Sequence, residues 1–210
     1  MRFKQNVLGF TLIEMMVAIV IMSIGLLGVA GLQVVSSKYK INSWARSSVA
    51  TLVADIGERI RVNSDVAGTN TMHGGVTTTS SYLVDSTWDT QQSADLTIST
   101  DCATSVCTPA QRATYDLLAW RQLARSALPQ GAVWLEGDKS AGFDVTLMWF
   151  DKEFTDTAGS VDQTDTANTR TLQSSATCTA TQTGMAQQSC CPSAAAVPAG
   201  VRCARYRFVP

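Results

Sequence analysis

The chain has 210 residues, with 16 lysine and arginine residues against 17 aspartate and glutamate residues and a formal net charge of −1. This balance lacks the basic excess on which phosphate-driven nucleic-acid binding depends. Beyond an apolar N-terminal segment, the remaining chain is long enough for one small core and no more.

The N-terminus combines a short basic leader with an apolar segment of membrane length. Arg2 and Lys4 precede Gly9, and the run from Phe10 to Leu32 contains Glu14 as its only charged residue. The run is close to the ~20 residues that a helix needs to cross a bilayer. A secretory signal peptide would place its cleavage site after the apolar run, whereas the leader-like glycine precedes it. Cleavage after Gly9 would therefore keep the apolar segment as a membrane anchor.

The string Gly-Phe-Thr-Leu-Ile-Glu from Gly9 to Glu14 resembles the class III signal of type IV prepilins and pseudopilins. The resemblance implies cleavage between Gly9 and Phe10 by a prepilin peptidase, and N-methylation of the new Phe10 amine. The continuation from Met15 to Gln33, together with features near the C-terminus, is most similar to minor pilins of the PilV type. The implied partners are the prepilin peptidase/N-methyltransferase, other minor and major pilins, the inner-membrane assembly platform and a tip adhesin. No cofactor and no metal are implied.

Glu14 is expected to be functional, because a carboxylate inside a bilayer costs roughly 2.5–3.5 kcal/mol on insertion scales. The resemblance implies that its partner is the N-terminal amine of Phe10 in a neighbouring subunit, which sets the register of assembly. The alternative is a side chain that merely snorkels to the nearby membrane edge. The joint occurrence of the glycine, the aromatic residue and the glutamate at the family spacing favours the assembly role.

After the apolar segment, hydrophobic residues recur at helical spacing and predict an amphipathic helix. One helix is predicted from Phe10 to Val62, roughly 80 Å long at ~1.5 Å per residue. Gly25, Gly28 and Gly31 would weaken it locally, which favours either loosening during assembly or close helix packing through small residues. The amphipathic positions are Ile41, Trp44, Val49, Leu52, Ile56 and Ile60.

Six cysteines follow the apolar segment, and their even number suits disulfides in an oxidising compartment. This predicts a periplasmic head, a point on which the positive-inside rule is ambiguous. Zinc is the competing interpretation, but the cysteine spacing does not match paired zinc ligands and the only histidine is His73. Proximity favours a bridge between Cys102 and Cys107, and the pairing of the other four stays open. The six are Cys102, Cys107, Cys178, Cys190, Cys191 and Cys203.

The head shows one predicted helix and three predicted strands. Thr108 and Pro109 provide an N-cap and a first-turn proline for a helix with an apolar stripe that ends before residues 129–131. Residues 132–136 and 143–150 predict an antiparallel hairpin with one buried face. Residues 204–209 predict a closing strand. The stripe consists of Leu117, Trp120, Ala124 and Leu128.

Two segments rich in Thr, Ser, Gln and Ala, residues 68–101 and 155–190, are predicted as long surface loops or short edge strands. The only histidine, His73, falls in the first, and no nucleophile–base motif or phosphate loop accompanies it. Acidic residues between 151 and 165 lack the oxygen-ligand spacing of an EF-hand and are predicted as solvated charges. They are Asp151, Glu153, Asp156, Asp162 and Asp165.

DNA binding is a hypothesis of another class, because some minor pilins are DNA receptors. Removing the leader leaves 14 basic against 17 acidic residues. The best basic cluster is Arg202, Arg205 and Arg207, of which the last two share one face of the predicted strand and are expected to line a solvated surface. Nucleic-acid binding is therefore disfavoured.

The sequence thus predicts an α+β, type IV pilin-like, non-enzymatic structural subunit. Residues 1–9 form a cleaved leader, 10–32 a transmembrane and assembly helix, 33–62 an amphipathic stem, and 63–210 a globular head. The predicted role is a minor pilin that helps to initiate or modify pilus assembly at the fibre tip and supports attachment and twitching motility. It would lie in the bacterial inner membrane and then in the surface fibre. The alternatives are a type II secretion pseudopilin and a DNA- or ligand-binding pilin module.

Overall fold

The computed structural model describes residues 11–68, 79–155 and 171–210. Two compact units divide the chain, Met1–Trp44 and Ala45–Pro210. The helices and strands, in chain order, are α1 (Leu12–Val62), α2 (Trp88–Ser93), α3 (Pro109–Ala127), β1 (Ala132–Asp138), β2 (Gly142–Phe150), α4 (Gly184–Ser189) and β3 (Val201–Phe208). Short 3₁₀ turns occur at Ser64–Val66 and Ser193–Ala195.

In the first unit, α1 carries a segment, Leu12–Gln33, that is long and apolar enough to cross a membrane. The predicted end of this helix at Val62 is confirmed. A Cβ atom added at Gly25, Gly28 or Gly31 would meet nothing within 4 Å in the described part of the chain. Among the described residues, therefore, no other segment packs closely against these glycines.

In the second unit, the later turns of α1 bury one apolar stripe in the head. Ala45, Val49 and Leu52 belong to it, and so do Ile56 and Ile60. Their spacing of three or four residues keeps them on one helical face.

The prediction that Trp44 belongs to this stripe is wrong, because Trp44 is 53% exposed. Ala45 takes the buried position, and adjacent helical residues lie about 100° apart around the axis. The side chain of Ile41 is not among those that the structure describes.

Helix α3 begins at Pro109, as predicted, and a capping box stabilises its N-terminus. The Thr108 hydroxyl accepts a hydrogen bond from the Gln111 N–H, and the Gln111 side chain accepts one from the Thr108 N–H. Further along the buried face of α3, the indole N–H of Trp120 donates to the carbonyl of Leu52 at 2.9 Å. This bond fixes α3 against α1.

The three strands form one antiparallel sheet in the order β1–β2–β3. The predicted hairpin is confirmed, but its turn is shorter than expected because Gly137 and Gly142 belong to the strands. Both glycines adopt positive φ angles, +112° and +94°, which tighten the connection. Strand β3 begins at Val201 rather than at Ala204.

The expectation of a single buried sheet face is wrong, because both faces are covered. The first face packs on α1 and α3 through residues such as Val145 and Leu147. The second face buries Met148 with Trp88 of α2 and Cys191 of the C-terminal region. Both covering residues come from, or directly follow, segments predicted as surface loops. The first segment therefore includes a core-forming helix, and the second contains α4 and ends at the fully buried Cys190.

The outer edge of β1 is closed by a side chain and by an isolated bridge. The Gln91 amide accepts from the Val133 N–H at 3.0 Å and donates to the Val133 carbonyl at 2.8 Å. Val84 pairs with Leu135 through two backbone hydrogen bonds of 2.9 and 3.0 Å. Gln91 thus occupies the place of one residue of a neighbouring strand.

Candidate functional site: the N-terminal helix and its disulfide-bonded head

The N-terminal helix presents its apolar side chains outward. Between Leu12 and Leu32, the large hydrophobic side chains are 52–79% exposed, in contrast to the buried stripe of α1 in the head. A continuous apolar surface of this kind needs lipid or other apolar helices around it. The geometry therefore suits a helix that is surrounded by lipid or by other apolar helices.

Glu14 lies in the first turn of this helix and forms a reciprocal cap with Thr11. One carboxylate oxygen accepts hydrogen bonds from the Thr11 N–H at 3.4 Å and from its hydroxyl at 3.3 Å, while the Glu14 N–H donates to that hydroxyl at 3.4 Å. These bonds are long. Gly9 and Phe10, the predicted processing residues, lie outside the described residues.

A buried polar network joins the last turns of α1 to α3. The Asp116 carboxylate, buried on α3, accepts hydrogen bonds from the Arg59 guanidinium at 3.1 Å and from the Tyr82 hydroxyl at 2.8 Å. The Asn63 amide donates to the Tyr82 oxygen at 2.9 Å and to the Pro109 carbonyl at 2.8 Å. The network therefore ties three separate parts of the chain together at the end of the long helix.

The same network changes the acidity of its members. Burial raises the pKa of the Tyr82 phenol, and the nearby Asp116 raises it further, although the bond from Asn63 acts in the opposite sense. Burial lowers the pKa of Arg59, but the hydrogen bonds and charges of Asp55 and Asp116 outweigh it and raise that pKa. Both side chains are held in the protonated form.

Arg59 also pairs with Asp55, one helical turn earlier on α1, at 2.8 Å. Sequence analysis did not identify Asp116 or Tyr82 as partners of this arginine. The useful signals were weak: Asp116 is a carboxylate on the apolar stripe of α3, and Tyr82 is an aromatic residue in a Thr/Ser-rich segment. No local spacing relates either residue to the end of α1.

Three disulfides stabilise the head. They join Cys102 to Cys107, Cys178 to Cys190, and Cys191 to Cys203. All six cysteines are therefore oxidised, which removes the thiolates that a zinc site would need. The last bridge is buried beside Trp134 and Met148 on the second face of the sheet.

The arginine cluster near the C-terminus is largely engaged by acidic groups. Arg202 bonds Asp151 at 2.7 Å and lies over the ring of Phe154, 4.2 Å from its centroid. Arg205 pairs with Asp144 at 3.1 Å. The prediction that Asp151 is a solvated charge is wrong, because the pairing with Arg202 holds it half-buried. Arg207 is the exposed member of the cluster and lies 4.0 Å from Asp144. A single exposed arginine is a small charge for binding phosphate groups.

His73 and the acidic residues Asp156, Asp162 and Asp165 lie outside the described residues. Glu153 is described, and its N–H donates to the Asp151 carboxylate at 2.9 Å within the same turn.

Residues 4–30 match the family model described as the prokaryotic N-terminal methylation motif. No curated protein matches the chain, and no solved structure matches it either. The long apolar N-terminal helix, the three-stranded antiparallel sheet, the additional helices and the disulfides fit a type IV pilin-like α+β fold. The motif supports a type IV pilin-like or pseudopilin-like protein, a class of structural subunits that a prepilin peptidase processes and that assemble with other pilins. With the apolar helix, it indicates membrane anchoring.

Proposed function

We propose that this chain is a minor type IV pilin of the PilV type, which helps to initiate or modify fibre assembly at the tip and supports attachment and twitching motility. The observation that carries the proposal is the methylation motif at the start of an exposed apolar helix that continues into a disulfide-bonded head. The subtype rests on the resemblance of residues 15–33, together with features near the C-terminus, to PilV-type proteins.

Processing would remove residues 1–9 and leave Phe10 as a methylated N-terminus. Residues 10–32 would then act as the assembly helix, 33–62 as the stem and 63–210 as the head. Before assembly the head would be periplasmic, in keeping with its disulfides. In the fibre it would be exposed at the cell surface.

Glu14 would bind the N-terminal amine of a neighbouring subunit and set its register. Its bonds to Thr11 are 3.3–3.4 Å long, whereas a hydrogen bond from an ammonium group to a carboxylate is about 2.7–2.9 Å long and also pairs two opposite charges. An incoming amine would therefore compete well for the carboxylate.

The test is mass spectrometry of fibres sheared from the native host. We expect a low-abundance peptide that begins at N-methylated Phe10 and is missing when Gly9→Val blocks cleavage. Normal processing of the Gly9→Val protein would contradict the assignment to the prepilin class.

A type II secretion pseudopilin is the second candidate, because the methylation motif is common to both classes of fibre. Detection of the processed form only in the cell envelope, with sheared fibres lacking it, would favour the pseudopilin. DNA binding is disfavoured by the engaged arginines, and salt-sensitive binding of DNA by the purified chain would reverse that judgement.

A further inference from the structure

The disulfides of the head are paired strictly in chain order. Each bridge joins consecutive cysteines, and the last two bridges have the same sequence separation of 12 residues. Cys190 and Cys191 are adjacent in the sequence. Cys178 could therefore form its disulfide with either of them, and so could Cys203. A shift of one residue would give the crossed set, Cys178 with Cys191 and Cys190 with Cys203.

Chain entropy does not make this choice. The loops closed by Cys178 with Cys190 and by Cys178 with Cys191 differ by one residue. Loop-closure cost rises only as three-halves of the logarithm of loop length, which gives a preference of about 1.1-fold. Random oxidation would therefore produce the two closures in nearly equal amounts.

The backbone hydrogen bonds around these cysteines favour one pairing over the other. The Cys191 N–H donates to the carbonyl of Ala176 at 2.8 Å, and its carbonyl accepts from the Cys178 N–H at 2.9 Å. These bonds form a parallel bridge between Thr177 and Cys191. Because successive side chains of extended backbone alternate in direction, Cys191 shares the face of Thr177, while Cys178 and Cys190 both point the other way.

The second sulfur pair is positioned by the sheet. Cys203 lies on β3 opposite Met148 of β2, and both belong to the apolar cluster that also contains Cys191 and Trp134. Burial in this cluster directs Cys191 to Cys203 and away from Cys178. The bridge and the cluster therefore select the same set of pairs.

We propose that the bridge between Thr177 and Cys191 sorts the adjacent cysteines, so that the head needs a dithiol oxidase but no disulfide isomerase. In each step, one cysteine thiolate attacks the oxidase disulfide, and the second displaces the oxidase from the mixed disulfide. Two thiols lose two protons and two electrons to form one S–S bond, and the oxidase disulfide is reduced to a dithiol. Two backbone hydrogen bonds of ordinary strength favour the native pairing roughly 30-fold.

The first test is oxidative folding of the reduced full chain in non-ionic detergent, with a catalytic dithiol oxidase alone or with an added isomerase. Trypsin cleaves after Arg170, Arg202 and Arg205 and releases residues 171–202 joined to residues 203–205 by a disulfide. Backbone fragmentation between Cys190 and Cys191 then separates the two bridges of the native set but not those of the crossed set. We expect the native set to dominate with the oxidase alone and to be unchanged by the isomerase. Nearly equal native and crossed sets, resolved only by the isomerase, would overturn the proposal.

A matched pair of variants measures the selection on one closure at a time. Cys178→Ser with Cys190→Ser leaves the native pair Cys191 and Cys203, whereas Cys178→Ser with Cys191→Ser leaves Cys190 and Cys203. Both have the same composition and nearly the same loop. Both keep Cys102 and Cys107, so the readout is the Cys203 thiol alone. We expect this thiol to be lost faster in the first variant by roughly the same 30-fold factor. Equal rates would show that the backbone bridge does not sort the cysteines.

Discussion

Replacing Asp116 with alanine should lower the free energy of unfolding of the head by about 3 kcal/mol. The Tyr82 hydroxyl would lose its acceptor at 2.8 Å inside the core, and a buried donor left unsatisfied costs about 1–3 kcal/mol. Arg59 would lose one of two carboxylates but keep Asp55 at 2.8 Å. Because its side chain is 28% exposed, solvent limits that second loss to about 1 kcal/mol.

The assay is urea unfolding of the full chain in non-ionic detergent, followed by tryptophan fluorescence. Four tryptophans are buried in the second unit and report its packing: Trp88, Trp120, Trp134 and Trp149. The control is Asp85→Ala, which removes an exposed carboxylate and should change stability by less than about 0.5 kcal/mol.

A double-mutant cycle with Tyr82→Phe separates the network from the individual residues. Tyr82→Phe alone should cost about 1–1.5 kcal/mol, since Asn63 keeps its bond to the Pro109 carbonyl. The two substitutions should together cost less than their sum, by about 1 kcal/mol. Additive effects, or an Asp116→Ala protein as stable as the Asp85→Ala control, would refute the reasoning.

Three further predictions concern a glycine pair, alkaline pH and assembly. Gly57→Ala should stabilise the head by about 1 kcal/mol in the same urea assay, because the new Cβ lies 3.7 Å from the Phe208 ring. Gly131→Ala should instead destabilise it by about 1–3 kcal/mol, because its Cβ would overlap a backbone carbonyl of α3. The pKa of Tyr82 is higher in the folded chain than in the unfolded chain. Its contribution to stability is therefore complete below about pH 10, the pKa of the phenol in the unfolded chain, and is lost as pH rises toward the pKa in the folded chain. In urea titrations above pH ~10, the wild type should lose stability more steeply than Tyr82→Phe. Glu14→Ala should leave the methylated N-terminal peptide intact but reduce the subunit's share of sheared fibres, and full incorporation would remove its assembly role.

Much of the fold follows from local patterns and could be predicted. The end of α1, the cap of α3 at Thr108 and the hairpin of β1 and β2 depend on spacing and capping within a few residues, so the sequence contains their signals. The methylation motif is likewise a contiguous string. These features need no knowledge of which distant residues meet.

The rest depends on long-range packing. Tyr82 and Trp88 lie among Thr, Ser and Gln residues that resemble a surface loop, yet both are buried by the sheet or the helices. Trp44 is apolar and at nearly the right spacing, but the alanine beside it faces the core. Similarly, the role of Asp116 as a hydrogen-bond acceptor depends on Arg59 and Tyr82, which come from other parts of the chain.

The Gln91 amide on the edge of β1 affects how readily crowded subunits could aggregate through their sheets. An unprotected outer strand is a template for sheet-to-sheet aggregation. Heads that gather along a fibre, or accumulate in the membrane before export, would meet at high local concentration. By bonding both backbone groups of Val133, Gln91 removes that template next to the bridge of Val84 with Leu135. Along β1, the Gln91 side chain and the Val84 bridge therefore occupy backbone groups that could otherwise pair with a strand of another subunit.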